Sequence, residues 1–182
     1  MKVIPTAIPD VRILEPQVFG DHRGYFIETW NSRRFAEQGI DAEFVQDNFS
    51  FSKKGTLRGL HYQVQNTQGK LMRVVEGEIF DVCVDIRKSS STFGQWVGVT
   101  LSSENKRSLW VPPGFAHGFL VLSDVAAFEY KCTDYYAKAH ERTLLWNDPA
   151  LGINWPIPEG FEPLITDKDR EGDVLLKADV FP

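Results

Sequence analysis

From Leu71 to Cys132 the chain is a succession of short apolar runs rich in β-branched residues, each cut off by Gly, Pro or Asn, which leaves room for strands and little else. Leu71 to Val75 stops at Glu76-Gly77. Ile79 to Ile86 alternates cleanly, with Phe80, Val82, Val84 and Ile86 on one face and Asp81, Cys83 and Asp85 on the other. Trp96 to Leu101 and Ser108 to Val111 follow, Pro112-Pro113-Gly114 turns the chain, and Gly118 to Leu122 and Ala126 to Cys132 complete the series. Short strands at this spacing predict an all-β fold, a β-sandwich or barrel. Upstream, Tyr25 to Trp30 reads as another strand. Asn31 or Ser32 can cap a helix over Arg33 to Gln38 that Gly39 ends. Beyond Asn147 the chain is rich in Pro, Gly and Asp and reads as a wrapping tail, with one short helix near Lys168 to Gly172. No repeat or linker divides the chain, so one domain is expected over 1–182, with an arm at 1–50, a barrel at 51–146 and the tail at 147–182.

The net charge of -5 argues against nucleic acid as a partner, which usually calls for a basic face. The two cysteines, Cys83 and Cys132, lie in separate strand-like runs, as expected of a reduced, cytoplasmic protein. Met1-Lys2-Val3-Ile4-Pro5 lacks the apolar core of a signal peptide. No stretch approaches the ~18 apolar residues of a membrane span, so no membrane partner is expected.

Four histidines are candidates for chemistry: His22, His61, His117 and His140. Metal sites in small β-barrels often use a His-x-His pair, a Glu soon after, and a distant His. Here the second position of the pair is Gln63, the Glu position holds Thr67 or Gln68, and only His117, in a P-x-G-x-x-H run, fits the distant ligand. Two imidazoles make a weak site for a first-row metal, so neither a metal nor another cofactor is expected. His61 sits among Arg58, Tyr62 and Gln63; in a strand, Gly59, His61 and Gln63 share a face. It can be a general base or a satisfied core histidine, and its own segment leaves both open. Lys70, opening a strand after Gln65-Asn66-Thr67-Gln68-Gly69, can stabilise an oxyanion or be a plain strand-end charge. Tyr130 shares an inward face with Phe128 and Cys132, where it can be core or a proton donor. Asp21, Arg23 and Gly24 suit a turn, and Thr166-Asp167-Lys168-Asp169 suits a capped helix start.

In their ordered succession these segments resemble one family, the dTDP-4-dehydrorhamnose 3,5-epimerases, of cupin fold. The likeness runs through Phe19-Gly20-Asp21-His22-Arg23-Gly24, Phe44-Val45-Gln46-Asp47-Asn48, Leu57-Arg58-Gly59-Leu60-His61-Tyr62-Gln63 and Gln68-Gly69-Lys70-Leu71. It continues through Asp81 to Lys88, Thr92-Phe93-Gly94-Gln95-Trp96, Pro113-Gly114-Phe115-Ala116-His117-Gly118-Phe119, Tyr130 to Tyr136 and Trp146-Asn147-Asp148. The resemblance implies a cupin-type β-sandwich, or jelly-roll barrel, with a few short helices. It implies His61 as general base, Asp169 as its partner carboxylate, Tyr130 as proton donor on the opposite face of the sugar, and Lys70 beside the ketone oxygen. Arg58, His117 and Glu141 would line the sugar and diphosphate pocket, Lys168 and Tyr136 would make further substrate contacts, and Gln46 and Asn48 would contact the nucleotide. Arg23, Phe26 and Glu28 would reach a neighbouring subunit's site, which implies a homodimer with exchanged N-terminal strands. His22 departs from the family, which more often has an acid there.

The implied substrate is a dTDP-linked keto-deoxyhexose, whose protons at C3 and C5 flank a C4 ketone. Each can leave as an enolate if a cation such as Lys70 meets the charge on the oxygen, without a metal. Arg23, Arg58, Lys70 and Lys168 would concentrate positive charge on an acidic chain, and Phe19 or Phe26 could stack on thymine. The implied reaction is therefore epimerisation at C3 and C5. The alternatives are a single-centre epimerase or keto-isomerase on a related dTDP-keto-sugar, a metal-dependent barrel enzyme, and a non-catalytic sugar-binding module.

Overall fold

The structure, a computed structural model, describes all residues 1–182. In chain order the elements are β1 (Lys2–Pro5), β2 (Arg12–Glu15), β3 (Val18–Asp21), β4 (Gly24–Ile27), α1 (Ser32–Ala36), β5 (Gln46–Lys53), β6 (Leu57–Gln63), β7 (Lys70–Glu76) and β8 (Glu78–Asp85). There follow β9 (Trp96–Ser102), β10 (Ser108–Val111), β11 (Phe115–Val121), β12 (Val125–Cys132), β13 (Glu141–Thr143) and α2 (Asp167–Arg170). The strands expected from Leu71 to Cys132 are all present, with ends shifted by a few residues. The helix at Ser32 is shorter than expected: Asn31 accepts the Arg34 N–H as its cap, and the regular turns stop at Ala36. The preceding strand stops at Ile27 rather than Trp30. Trp30 instead packs on Phe35 and Phe44 at ring distances of 4.5 and 4.6 Å.

Two antiparallel sheets face each other, in the orders β1-β2-β10-β7-β12-β5 and β13-β6-β11-β8-β9, and β3-β4 forms a separate hairpin. The main core lies between the sheets. Met72, Val74 and Phe128 from the first meet Cys83, Val97, Val99, Leu101, Phe115 and Phe119 from the second, all buried. Each such side chain contributes about 1.5–3 kcal/mol through its removal from water. The fold is thus the expected all-β sandwich.

β8 shows how the sequence pattern is used. Both of its faces are buried. Cys83 faces the inter-sheet core, whereas Val82, Val84 and Ile86 belong to a second cluster with Leu60, Ala116, Leu144 and Leu151. Trp155, Leu175, Val180 and Phe181 of the tail cover that cluster. The clean alternation therefore does not mark a solvent face: the apolar outer row is covered by the tail, and the row bearing Asp81, Cys83 and Asp85 lies inside. The tail is fastened by single bridges, Thr56 to Leu164, Leu144 to Asp173 and Arg87 to Phe181. Buried Asp148 accepts the Ala150 and Leu175 N–H groups at 2.9 and 2.7 Å. No helix is long and apolar enough to cross a membrane.

Candidate active site

A cleft opens between the sheets. Its walls come from strands distant in sequence, which is why polar residues scattered from Gln46 to Glu141 converge there. β6 supplies Arg58, His61 and Gln63, β7 supplies Lys70, β11 supplies His117, and β12 supplies Tyr130; β5 adds Gln46, Asn48 and Ser50, and Tyr136 and Glu141 close the rim. Strict alternation on β6 would send Arg58 away from the side of His61 and Gln63. Both line the cleft, because the β6–β11 register shifts between His117 and Phe119. The two strands touch closely at this point. A Cβ on Gly59, whose φ is +116°, would lie 2.5 Å from the Cα of Gly118, so only glycine fits.

The tail brings the cleft its carboxylate. Thr166 caps α2 by accepting the Asp169 N–H, and Asp169 points inward, 3 % exposed. Its Oδ1 lies 2.5 Å from Nε2 of His61 and its Oδ2 accepts the Gly59 N–H at 3.3 Å. Burial pushes the Asp169 carboxyl up, but the hydrogen bond and charge of His61 and the Gly59 N–H outweigh it and hold the group below its ordinary value. His61 itself is part-exposed to the cleft, and its Nδ1 makes no hydrogen bond to protein.

Opposite stand a cation and a phenol. Lys70 forms no ion pair, and burial lowers its ammonium below the ordinary lysine value despite nearby Cys132, Asp81 and Glu141. Tyr130 is pushed up to about 12, by burial first and then by the charge of Cys132. Deeper, His117 stacks near Phe128 and pairs with fully buried Asp81. At the rim Glu141 accepts from Lys168 at 2.7 Å and from the Tyr136 hydroxyl at 3.1 Å. Burial works against the Glu141 carboxylate, yet the Lys168 pair holds it below its ordinary value. Gln46 accepts the Tyr136 N–H at 2.8 Å and donates to Asn48 at 3.0 Å.

The structure thus gathers His61, Asp169, Lys70, Tyr130, Gln46, Asn48, Arg58, His117, Tyr136, Glu141 and Lys168 around one cleft. It does not bring Arg23, Phe26 and Glu28 there. They stand on or beside the β3–β4 hairpin, with Arg23 paired to Asp21 and Glu28 to Arg34. Sequence reasoning missed three contributors. Gln63 is buried and ties the wall together, donating to the Asn66 and Tyr135 carbonyls and accepting the Ala137 N–H. Ser50 Oγ is buried with no protein partner. Asp81 lies beneath His117; the signal for it was an acid sharing a strand face with a buried cysteine.

No group of three or more His, Cys, Asp or Glu side chains is arranged to hold a metal ion. His61 and His117 are each engaged with one aspartate. The arrangement can do acid–base chemistry: one cleft is lined by an oriented imidazole, a protonated phenol and an unpaired ammonium.

The family model for dTDP-4-dehydrorhamnose 3,5-epimerase matches residues 5–177. The chain is 56% identical to the dTDP-4-dehydrorhamnose 3,5-epimerase of Pseudomonas aeruginosa, with 100% of each chain covered. It is 58% identical to the enzyme of the same name from Shigella flexneri, with 100% of this chain and 99% of that one covered. The crystal structure of dTDP-6-deoxy-D-glucose-3,5-epimerase from Legionella pneumophila, in complex with dTDP-4-keto-L-rhamnose, superposes with a TM-score of 0.94 at 54% identity, covering 98% of this chain and 94% of that one. The chain belongs to the dTDP-4-dehydrorhamnose 3,5-epimerase family.

Proposed function

We propose that the protein converts dTDP-4-dehydro-6-deoxy-D-glucose into dTDP-4-dehydro-L-rhamnose by inverting C3 and C5. The observation that carries the reading is the His61–Asp169 pair, facing Lys70 and Tyr130 across one cleft. His61 takes a proton from the carbon beside the ketone. The C–H electron pair moves into the new C=C bond, and the carbonyl pair moves onto O4. Lys70 meets that charge, which is worth most in a water-poor cleft. Asp169 stabilises the imidazolium and keeps its orientation. Tyr130, protonated at neutral pH, returns a proton from the opposite face and the configuration inverts. The proton gained by His61 and the one lost by Tyr130 balance, so solvent exchange resets both. A second round at the other flanking carbon completes the product.

Arg58, Lys168, Gln46, Asn48 and Tyr136 would hold the dTDP portion along the rim. The β3–β4 hairpin carries Phe19, Tyr25 and Phe26 at 55, 58 and 68% exposure, an unusual amount of bare aromatic surface for a lone subunit. A homodimer in which this hairpin reaches the partner's cleft would cover it and deliver Arg23, Phe26 and Glu28 to the nucleotide. Sedimentation at a monomer mass would overturn that arrangement.

The function is tested by proton NMR in deuterated water with dTDP-4-dehydro-6-deoxy-D-glucose. Deuterium at both C3 and C5 of a rhamno-configured product is expected. Exchange confined to one carbon overturns double inversion, and full turnover by His61→Asn overturns the base assignment.

A further inference from the structure

Asp81 is wholly buried on β8 and lies under the cleft rather than in its wall. Its carboxylate oxygens lie 3.0 and 2.9 Å from Nε2 of His117, and the carboxylate makes no other hydrogen bond. An aspartate carboxylate accepts hydrogen bonds and does not donate them, so the proton of that bond belongs to Nε2. Nδ1 of His117 has no protein partner and is not sealed in the core, while the side chain lines the cleft. The charged and titratable groups facing this imidazole are Lys70 from β7, His61 from β6, Asp81 and Cys83 from β8, and Tyr130 from β12. Burial lowers His117 below its ordinary value, Asp81 opposes this, and Lys70 and His61 add to the lowering. A neutral ring with its proton on Nε2 carries a bare lone pair on Nδ1.

We propose that Asp81 is a positioning residue: it locks His117 as the Nε2–H tautomer, so that Nδ1 is presented to the sugar as an acceptor for a hydroxyl. The cleft floor then holds two unlike groups. Lys70 only donates, and His117 Nδ1 only accepts. That pair matches a ketone with a hydroxyl on the next carbon and mismatches a sugar lacking either group, because one polar group would be left unpaired. The two His–Asp pairs thus divide the work. The His61–Asp169 pair opens to the reacting carbon, while the His117–Asp81 pair is buried and selects the α-hydroxyketone. The choice of ligand rests on the function proposed above; the tautomer does not.

The closing experiment keeps the two apart. Long-range ¹⁵N–¹H correlation spectra of the ligand-free protein, with His117 assigned by loss of its signals in His117→Gln, are expected to show the Nε2–H tautomer at pH 7.5. The Nδ1–H tautomer or an imidazolium there overturns the inference, whatever the enzyme turns over. Asp81→Asn can either accept from or donate to Nε2, so a mixture of tautomers is expected. Its kcat/KM for the keto-sugar nucleotide should fall about tenfold, the scale of one hydrogen bond. Affinity for dTDP, which lacks the keto-hexose, should stay unchanged. A fall in dTDP affinity equal to the fall in kcat/KM would mean general damage to the cleft and overturn the positioning role. Should Asp81→Asn fail to fold, the native spectrum alone still decides.

Discussion

Asp169 holds His61 and the strand turn beside it at once: one oxygen lies 2.5 Å from Nε2 of His61 and the other accepts the Gly59 N–H at 3.3 Å, across more than a hundred residues of chain. The carboxylate fixes the ring's orientation and supplies the counter-charge that an imidazolium needs. Asp169→Asn keeps the shape and removes the charge. Its kcat is expected to fall by about 10³–10⁴-fold, as for other buried His–carboxylate pairs. Circular dichroism should be unchanged, and deuterium uptake into substrate should slow by the same factor as turnover. Uptake at the normal rate with slow turnover would place the role of Asp169 after proton abstraction.

Lys70 and Tyr130 are displaced in opposite directions by burial, Lys70 downward and Tyr130 up to about 12. The ammonium must be charged to meet the enolate, so activity should be lost as pH rises through a value below the 10.5 of ordinary lysine. The phenol stays protonated throughout that range. Pre-steady-state rates from pH 7 to 11 should therefore show an alkaline limb that Lys70→Arg moves upward and Tyr130→Phe leaves in place. Movement of the limb in Tyr130→Phe would reverse the assignment.

Tyr130→Phe removes only the hydroxyl. Inversion should slow by about 10²–10⁴-fold, the range for a lost general acid, while His61 continues to exchange the acidic C–H with solvent. The check is a deuterated substrate with unchanged configuration. Loss of exchange along with inversion would show that the hydroxyl is also needed for proton abstraction.

Gly55 has φ +75°, and a Cβ there would lie 2.4 Å from Cζ of Phe161, on the tail segment that leads to Asp169. Gly55→Ala combines backbone strain with a clash and should cost about 1–3 kcal/mol in denaturant melts. Because the displaced tail carries Asp169, kcat should fall as well. A destabilised variant with unchanged kcat would mean that α2 is held independently of Phe161.

Asp85 is fully buried and accepts from Arg87, Ser90 and Thr92. Burial pushes its carboxyl up, but these bonds, Arg87's first, bring it down to about 2. A folded value below the unfolded one means stability that is full above pH 3.8 and lost as pH falls toward 2. Asp85→Asn should cost about 2–3 kcal/mol at pH 7, where it leaves Arg87 short of a counter-charge. The gap to the unmutated protein should close between pH 4 and pH 2 in urea titrations. A constant gap across that range would show that shape, and not charge, is what Asp85 supplies.

The strands were legible because period-two apolar runs and Gly/Pro breaks are local properties, and an all-β sandwich or barrel follows from them. The ordered motifs likewise carried the family, and with it the expectation of roles for His61, Lys70, Tyr130 and Asp169, which the structure gathers at one cleft. Local pattern could not say which face of β8 meets the core, because the tail that covers Val82, Val84 and Ile86 lies far away in sequence. Nor could it place Arg58 beside His61, which depends on a register shift against β11. Asp81 read as one of three polar residues on a strand, and only the packing of β8 against β11 sets it under His117. Periodicity is written residue by residue along the chain, so the sequence by itself decides which segments are strands. Long-range pairing and the path of the tail decide which polar side chains share one water-poor cleft, and that sharing turns a histidine open to two readings into the oriented partner of Asp169.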